Sequence, residues 1–340
     1  MPLREVRSTK CGVRSALPSH PAPCTSDLAP SMSHPAPRSP HGFTYRQAVE
    51  RLKRAGLESA ALDAACLLEA ASGVARWRFL LETERAIGSW RSDLFESMVS
   101  RREAREPIAY ILGVKEFWSL PLAVGRGVLI PRPETETLVE VVLKKVRSAN
   151  PSHLAPHTSH LAPRIVDIGT GCGAIALALA REIAHARVYA IDRSLAALRI
   201  ARRNVEALGF AGRIRLLAGD LFEPLRAILP GVGFDLIVSN PPYIPSNAFA
   251  SLPPEVAVYE PYLALDGGPD GLRYHRRIIE AAPTHLCEHG WLALEVGDGQ
   301  ATAVAQLIAE GGAFEPAEVA QDLGGRDRVV LARRRARTGG

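Results

Sequence analysis

At 340 residues, 47% apolar and 23% charged, the chain is too apolar to stay unfolded and too mixed to be fibrous, and it has room for one large or two modest folded domains. No run of about 18 apolar residues occurs, so no membrane span is expected; five scattered cysteines without a C-x-x-C pair indicate neither a disulfide framework nor a metal site, and a reducing, cytoplasmic setting follows. The formal net charge of +5 sits at the ends: residues 1–42 carry +3 and residues 326–340 carry +5, which leaves −3 for the 283 residues between and argues against a nucleic-acid-binding body.

Residues 1–42 are rich in Pro, Ser and His and repeat the pentapeptide "SHPAP" at 19–23 and 33–37, a composition that buries no core and predicts a disordered extension. In "FTYRQAVERLKRAG" Thr44 and Gln47 have the spacing of a capping box and Gly56 the place of a stop signal. Helical spacing recurs at 60–72 and 91–105, so 43–112 is expected to be a small helical domain. Residues 113–133 turn β-branched and apolar around Gly125 and Gly127, which predicts a β-hairpin connector, and a helix is expected over 134–147. A second pair of repeats, "SHLAP" at 152–156 and 159–163, marks a low-complexity linker over 148–163.

Strand and helix patterns then alternate, with strands predicted at 164–168, 187–191, 214–218, 234–239 and 291–296. Helices are predicted near 174–184, 194–208, 274–287 and 300–311, and a closing strand pair near 314–319 and 328–333. Such alternation predicts a doubly wound, mostly parallel Rossmann-like α/β domain over 164–334, with ligands bound at the strand ends. Residues 335–340, the end of the "ARRRAR" run, are expected to be a solvated basic tail.

The first strand enters "VDIGTGCGAIALALA". Gly169, Gly171 and Gly173 suit a tight turn under a ligand at a helix N-terminus. Asp192, about 20 residues on at the end of the second strand, is placed to accept hydrogen bonds from both hydroxyls of an adenosine ribose. Both nicotinamide and S-adenosylmethionine enzymes use these parts. After the third strand, "LAGDLF" puts Asp220 within reach of an adenine amino group, or at a helix N-cap, with Leu221 and Phe222 as apolar neighbours.

The fourth strand ends in Asn240-Pro241-Pro242-Tyr243. Two prolines lack the N–H that a sheet ladder needs and force a fixed, extended turn. A planar nitrogen, whether a carboxamide or a nucleobase amine, is a poor nucleophile because its lone pair is delocalised. A catalyst must hold both N–H bonds and aim the lone pair at the electrophile. The Asn240 side-chain oxygen and the Pro241 carbonyl can accept those two bonds while Tyr243 packs on the planar group. A sulfonium methyl would be the electrophile. Hydride transfer has no use for this loop and would need a proton donor that no histidine provides at a strand end.

"DIGTGCGAIA", "NPPYIP", "IPRPETETLVE" and "YEPYLALDGGPDGL", in one chain, resemble the release-factor glutamine methyltransferases of the HemK/PrmC type, over roughly 43–333. The resemblance implies a class I S-adenosylmethionine-dependent enzyme that methylates the side-chain amide nitrogen of the Gln in the GGQ loop of peptide chain release factors. It implies that Gly169, Thr170, Gly171, Cys172, Gly173, Asp192 and Leu221 contact the cofactor, and Asp220 and Asn240 are expected beside them. Asn240, Pro241, Pro242 and Tyr243 would hold the Gln, and the helical domain would grip the release factor. The family commonly has Thr or Ser at the place of Cys172 and often an aromatic at that of Leu221, and its linker is shorter. A cytoplasmic monomer without sequence-specific nucleic-acid or membrane binding is expected. The alternatives are an amino-methyltransferase acting on adenine or guanine in DNA or RNA, which faces the same planar-amine problem, and a non-catalytic adaptor.

Overall fold

The computed structural model describes residues 43–75, 89–148, 162–228, 231 and 233–336. The expected extension at 1–42, most of the linker and the last four residues lie outside them. Helix α1 (Tyr45–Arg54) is capped by its own first residues: Thr44 Oγ1 accepts from the Gln47 N–H at 3.3 Å and Gln47 Oε1 from the Thr44 N–H at 2.8 Å, which satisfies two otherwise orphaned donors. Helices α2 (Ala60–Ser72), α3 (Ser89–Glu103) and α4 (Ile108–Leu112) follow among the described residues of the helical part. Its core holds Leu52, Leu67, Leu68 and Phe95, all fully buried, and truncating one of these to alanine costs about 2–5 kcal/mol.

Strands β1 (Val114–Phe117) and β2 (Leu120–Ala123) form the expected hairpin, but its turn is not at Gly125 or Gly127. Trp118 and Ser119 make the turn in the left-handed region, φ 51° and 53°, where a bulky residue is strained. Tertiary bonds offset the strain. The Trp118 N–H donates to Glu136 Oε1 at 2.8 Å, its indole N–H to Glu182 Oε1 at 3.1 Å, and the Arg181 guanidinium donates to the Trp118 and Ser119 carbonyls. Helix α5 (Thr135–Ser148) follows.

Next come β3 (Arg164–Ile168), α6 (Ala174–Glu182), β4 (Arg187–Asp192), α7 (Leu195–Ala207), β5 (Ile214–Ala218), α8 (Glu223–Ile228) and β6 (Phe234–Ser239). After β6 the chain makes a short β7 (Ile244–Pro245), α9 (Pro254–Ala257), α10 (Tyr262–Leu265) and β8 (Asp266–Gly268). It closes with α11 (Arg273–Ala281), β9 (Leu286–Glu295), α12 (Ala301–Glu310), β10 (Glu318–Gln321) and β11 (Asp327–Arg333). Seven strands make one sheet in the order β10-β11-β9-β6-β3-β4-β5, with β9, β6, β3, β4 and β5 parallel and β11 antiparallel to β9 and β10. Side chains alternate between two cores: Ile165, Leu236 and Val238 face one, Val166, Ile168 and Ile237 the other, because both faces of a parallel sheet must be covered. The strand order reverses between β3 and β6, which opens a crevice at their carboxyl ends.

Beyond the hairpin, three elements depart from expectation. The strand predicted at 314–319 is β10 at Glu318–Gln321, and Phe314 makes only an isolated bridge to Arg334. The helix from 274 stops at Ala281 and, after a single 3-10 turn over Ala282–Thr284, strand β9 begins five residues earlier than predicted. Pro283 cannot continue the helical ladder, and Leu286 pairs with Phe234. The basic end is not a free tail up to 335: the Arg335 N–H donates to the Ala313 carbonyl at 3.0 Å and its guanidinium to the Phe314 carbonyl at 2.6 Å.

The helical part and hairpin are tied to the sheet by polar contacts. Arg102 donates to Asp63 at 2.7 Å and to Glu255 at 3.2 Å, and Arg105 to the other Glu255 oxygen at 2.9 Å. Buried Asn204 of α7 accepts from the Ala123 N–H at 2.7 Å and donates to the Ala123 and Cys172 carbonyls at 3.0 and 2.8 Å.

Candidate active site

The glycine turn after β3 takes left-handed φ values at Gly169, Gly171 and Gly173, of 72°, 56° and 87°. A Cβ added at Gly169 or Gly171 would meet no protein atom within 4 Å; both residues line an open-mouthed cavity of about 180 Å³. Asp192 lines the same wall. Its Oδ2 accepts from the Gly171 N–H at 2.9 Å and its Oδ1 from the Ser194 N–H at 2.8 Å, so each oxygen keeps acceptor capacity for a ligand hydroxyl. Burial pushes its pKa up, and those N–H groups and Arg193 pull it back.

The loop is braced from below by Asp167, which sequence reasoning missed. Its Oδ2 accepts from the Thr170 hydroxyl at 2.6 Å and the Ala176 N–H at 3.1 Å, while its Oδ1 is buried without a partner. Burial raises its pKa to about 7. An acid inside an apolar strand just before a glycine turn was the available signal.

Gly169, Gly171, Asp192, Asp220, Leu221 and Asn240 all line the cavity, as do Pro241 and Pro242. Thr170, Cys172, Gly173 and Tyr243 do not. Thr170 is turned inward to Asp167; Cys172 is buried, with its carbonyl held by Asn204; and Gly173 is the N-cap of α6, where a Cβ would lie in ordinary contact with Leu177 and Ala201 at 3.5 and 3.6 Å. At Asp220 the Arg277 guanidinium of α11 donates to Oδ2 at 2.6 Å, and Oδ1 keeps acceptor capacity toward the cavity. Leu221 adopts φ 49° at the wall, a strained conformation of the kind that clusters at ligand sites.

Across the cavity the Asn240 NH₂ donates to Thr135 Oγ1 at 3.1 Å, which leaves the carboxamide oxygen as the available acceptor. Thr135 starts α5 inside the "RPETET" stretch, so two motifs 105 positions apart meet here. Tyr243 packs behind them. Its hydroxyl donates to buried Glu295 Oε1 at 3.4 Å and its carbonyl accepts from Gln300 Nε2 at 2.9 Å. Gly271 lies so close that a Cβ there would stand 2.3 Å from the Tyr243 carbonyl oxygen. Glu295, Gln300 and Thr135 were not foreseen as site residues. The remaining wall includes Gly127, Leu129, Pro261, Leu263, Tyr274 and Ile278, drawn from the connector, α10 and its flank, and α11. Among the described residues no helix is long and apolar enough to cross a membrane.

A profile described as the PrmC N-terminal domain matches residues 44–113, and one described as the methyltransferase small domain matches 151–251. The release factor glutamine methyltransferase of Geobacter sulfurreducens is 43% identical over 83% of this chain and 92% of its own length. That of Moorella thermoacetica is 44% identical over 85% and 96%, and that of Rhodospirillum rubrum 43% over 84% and 82%. With an identity this high over 82–96% of each relative's length, the chain belongs to the release factor glutamine methyltransferase family.

Proposed function

We propose that this enzyme moves the methyl group of S-adenosylmethionine to the side-chain amide nitrogen of the Gln in the GGQ loop of peptide chain release factors. One observation carries the reading: the Asn240 carboxamide is tied by its NH₂ to Thr135, so its oxygen is the end left to accept from a substrate N–H. Family membership supports the same reaction and substrate class.

The cavity fits the cofactor. Two glycines leave room that any side chain would fill, Asp192 offers acceptors for a ribose diol, and Leu221, Ile278 and Pro261 provide an apolar wall. Bound there, S-adenosylmethionine supplies an electrophilic methyl group on a sulfonium. The protein's own work is then to hold and aim. Asn240 Oδ1 and the Pro241 carbonyl each accept one N–H of the substrate amide, which fixes its plane and turns the nitrogen lone pair toward the cofactor side. The prolines keep those acceptors from reorganising, and Tyr243, outside the cavity lining, braces the loop from behind through Glu295 and Gln300. The helical part, 43–112, is assigned to gripping the release factor outside the cavity, with Arg102 and Arg105 setting its position through Glu255.

The test is to incubate the protein with labelled S-adenosylmethionine and a purified release factor and to map the modified residue by mass spectrometry. Label on the GGQ glutamine is expected. Label on co-incubated DNA or RNA with the release factor unmodified would overturn the reading.

A further inference from the structure

A proline ring fixes φ and leaves ψ free, and a backbone carbonyl turns with ψ. The two prolines therefore do not by themselves aim the Pro241 carbonyl. The ψ angles of Asn240, Pro241 and Pro242 are settled once both ends of the loop are held. At the entry, Ser239 pairs with β3 and β9, and its buried hydroxyl donates to the Ile168 carbonyl at 2.7 Å. At the exit, Gln300 Nε2 donates to the Tyr243 carbonyl at 2.9 Å, holding the main chain at the last residue of the loop, just before β7 pairs with β8.

Gln300 is rigidly mounted for that contact. It is the N-cap residue of α12; its N–H donates to the Gly297 carbonyl at 3.2 Å and its own carbonyl accepts from the Val304 N–H at 3.0 Å. An N-cap side chain ordinarily accepts from the first turn of its helix, and this one does not. Its Oε1 accepts instead from the Gly297 N–H at 2.9 Å. A carbonyl can only accept and an N–H only donate, so these two partners give the Gln300 amide a single orientation. Two glycines leave the space it needs. A Cβ at Gly297 would stand 2.9 Å from Gln300 Oε1 and 3.0 Å from Tyr243 Cδ2, and one at Gly271 would stand 2.5 Å from Gln300 Nε2.

We infer that Gln300 is a positioning residue for methyl transfer: by fixing the Tyr243 carbonyl it closes the NPPY loop at its far end and so sets the direction of the Pro241 carbonyl and the place of Asn240. The inference rests on the reading of Asn240 and Pro241 as the acceptors of the substrate amide. Gln300 acts through Tyr243 and the loop, without touching the substrate.

Gln300→Glu separates its two bonds. The carboxylate still accepts from the Gly297 N–H, but it has no proton for the Tyr243 carbonyl and sets two oxygens against each other. On a release factor at saturating S-adenosylmethionine, kcat should fall roughly tenfold, the scale of one hydrogen bond lost. The release-factor KM, the cofactor Kd and the melting temperature should stay near those of the wild type, because alignment counts most in the transition state. Gln300→Leu, which loses the Gly297 bond as well, should match Gln300→Glu in kcat and melt lower, so that the rate follows the lost donor and not stability. In the cofactor-free protein, the carbonyl ¹³C signals of both Tyr243 and Pro241 should move in Gln300→Glu. Wild-type kcat in Gln300→Glu while Asn240→Ala is slow, a rate loss that tracks melting temperature across the two variants, or a Pro241 signal that stays in place while that of Tyr243 moves would each overturn the inference. Near-wild-type turnover in Asn240→Ala would instead overturn the underlying reading of the acceptors.

Discussion

The Arg132 guanidinium donates to Glu260 Oε1 at 2.5 Å, joining the "IPRPETE" and "YEPY" stretches across 128 positions of chain. The Glu260 side chain is 1% exposed and its other oxygen is buried without a partner; burial pushes its pKa up although Arg132 pulls it down. Removing the arginine strands a buried carboxylate. Arg132→Ala should lower the unfolding free energy by about 3 kcal/mol, and adding Glu260→Gln should recover most of it, because the neutral side chain no longer needs a counter-charge. Urea denaturation of the two single variants and the double variant checks this; a double variant no more stable than Arg132→Ala would show that the arginine acts through packing.

Asp167 should make stability depend on pH. Its folded pKa of about 7 lies above the ordinary 3.8, so between those values the folded chain holds a proton that the unfolded chain has released. Its contribution is therefore lost as pH rises, by about 4 kcal/mol across the window. Asp167→Asn has no such titration. Relative to the wild type it should gain stability from about pH 5 to about pH 8, measured as the difference in urea-unfolding free energy; an unchanged difference would mean that the carboxyl titrates normally.

Asp192→Ala should weaken S-adenosylmethionine binding by well over tenfold in calorimetry, since two charge-assisted hydrogen bonds of about 1.5–3 kcal/mol each are lost. The carboxylate also holds the Gly171 and Ser194 N–H groups, so the turn itself should loosen and amide exchange at Gly171 should speed up. Unchanged affinity would remove Asp192 from the ribose site.

Asn240→Ala should cut kcat by roughly 10²–10³ with little change in cofactor Kd, because alignment of the nitrogen lone pair matters most in the transition state. Asn240→Asp keeps the acceptor but loses the NH₂ that bonds Thr135, and partial activity is expected. Single-turnover kinetics at saturating cofactor checks both. Near-wild-type chemistry in Asn240→Ala would reduce the NPPY loop to a strand terminator.

Deleting residues 1–41 should leave melting temperature and methyl transfer nearly unchanged, since a segment of that composition buries little apolar surface and the first family match begins at residue 44. A drop of several degrees would show that the extension contributes to the fold.

What the sequence alone determined is what neighbouring residues settle among themselves. The Thr44–Gln47 capping box, the parallel strands with apolar residues facing both sides, the left-handed glycine turn and the proline-frozen end of β6 are all short-range matters of backbone freedom, donor supply and burial, and each was legible within about ten positions. The tertiary structure decided the rest, because hydrogen bonds between distant polar side chains leave no period or spacing to read. Thr135 orients Asn240 from 105 positions away, Asn204 holds both the hairpin and the Cys172 carbonyl, and Arg277 claims Asp220 from across the cavity rim. The hairpin turn shows the same division: local propensity favoured the glycines at 125 and 127, and the half-buried bonds to Glu136 and Glu182, with exposed ones from Arg181, made Trp118 and Ser119 turn instead, because together they outweigh the strain of two left-handed residues.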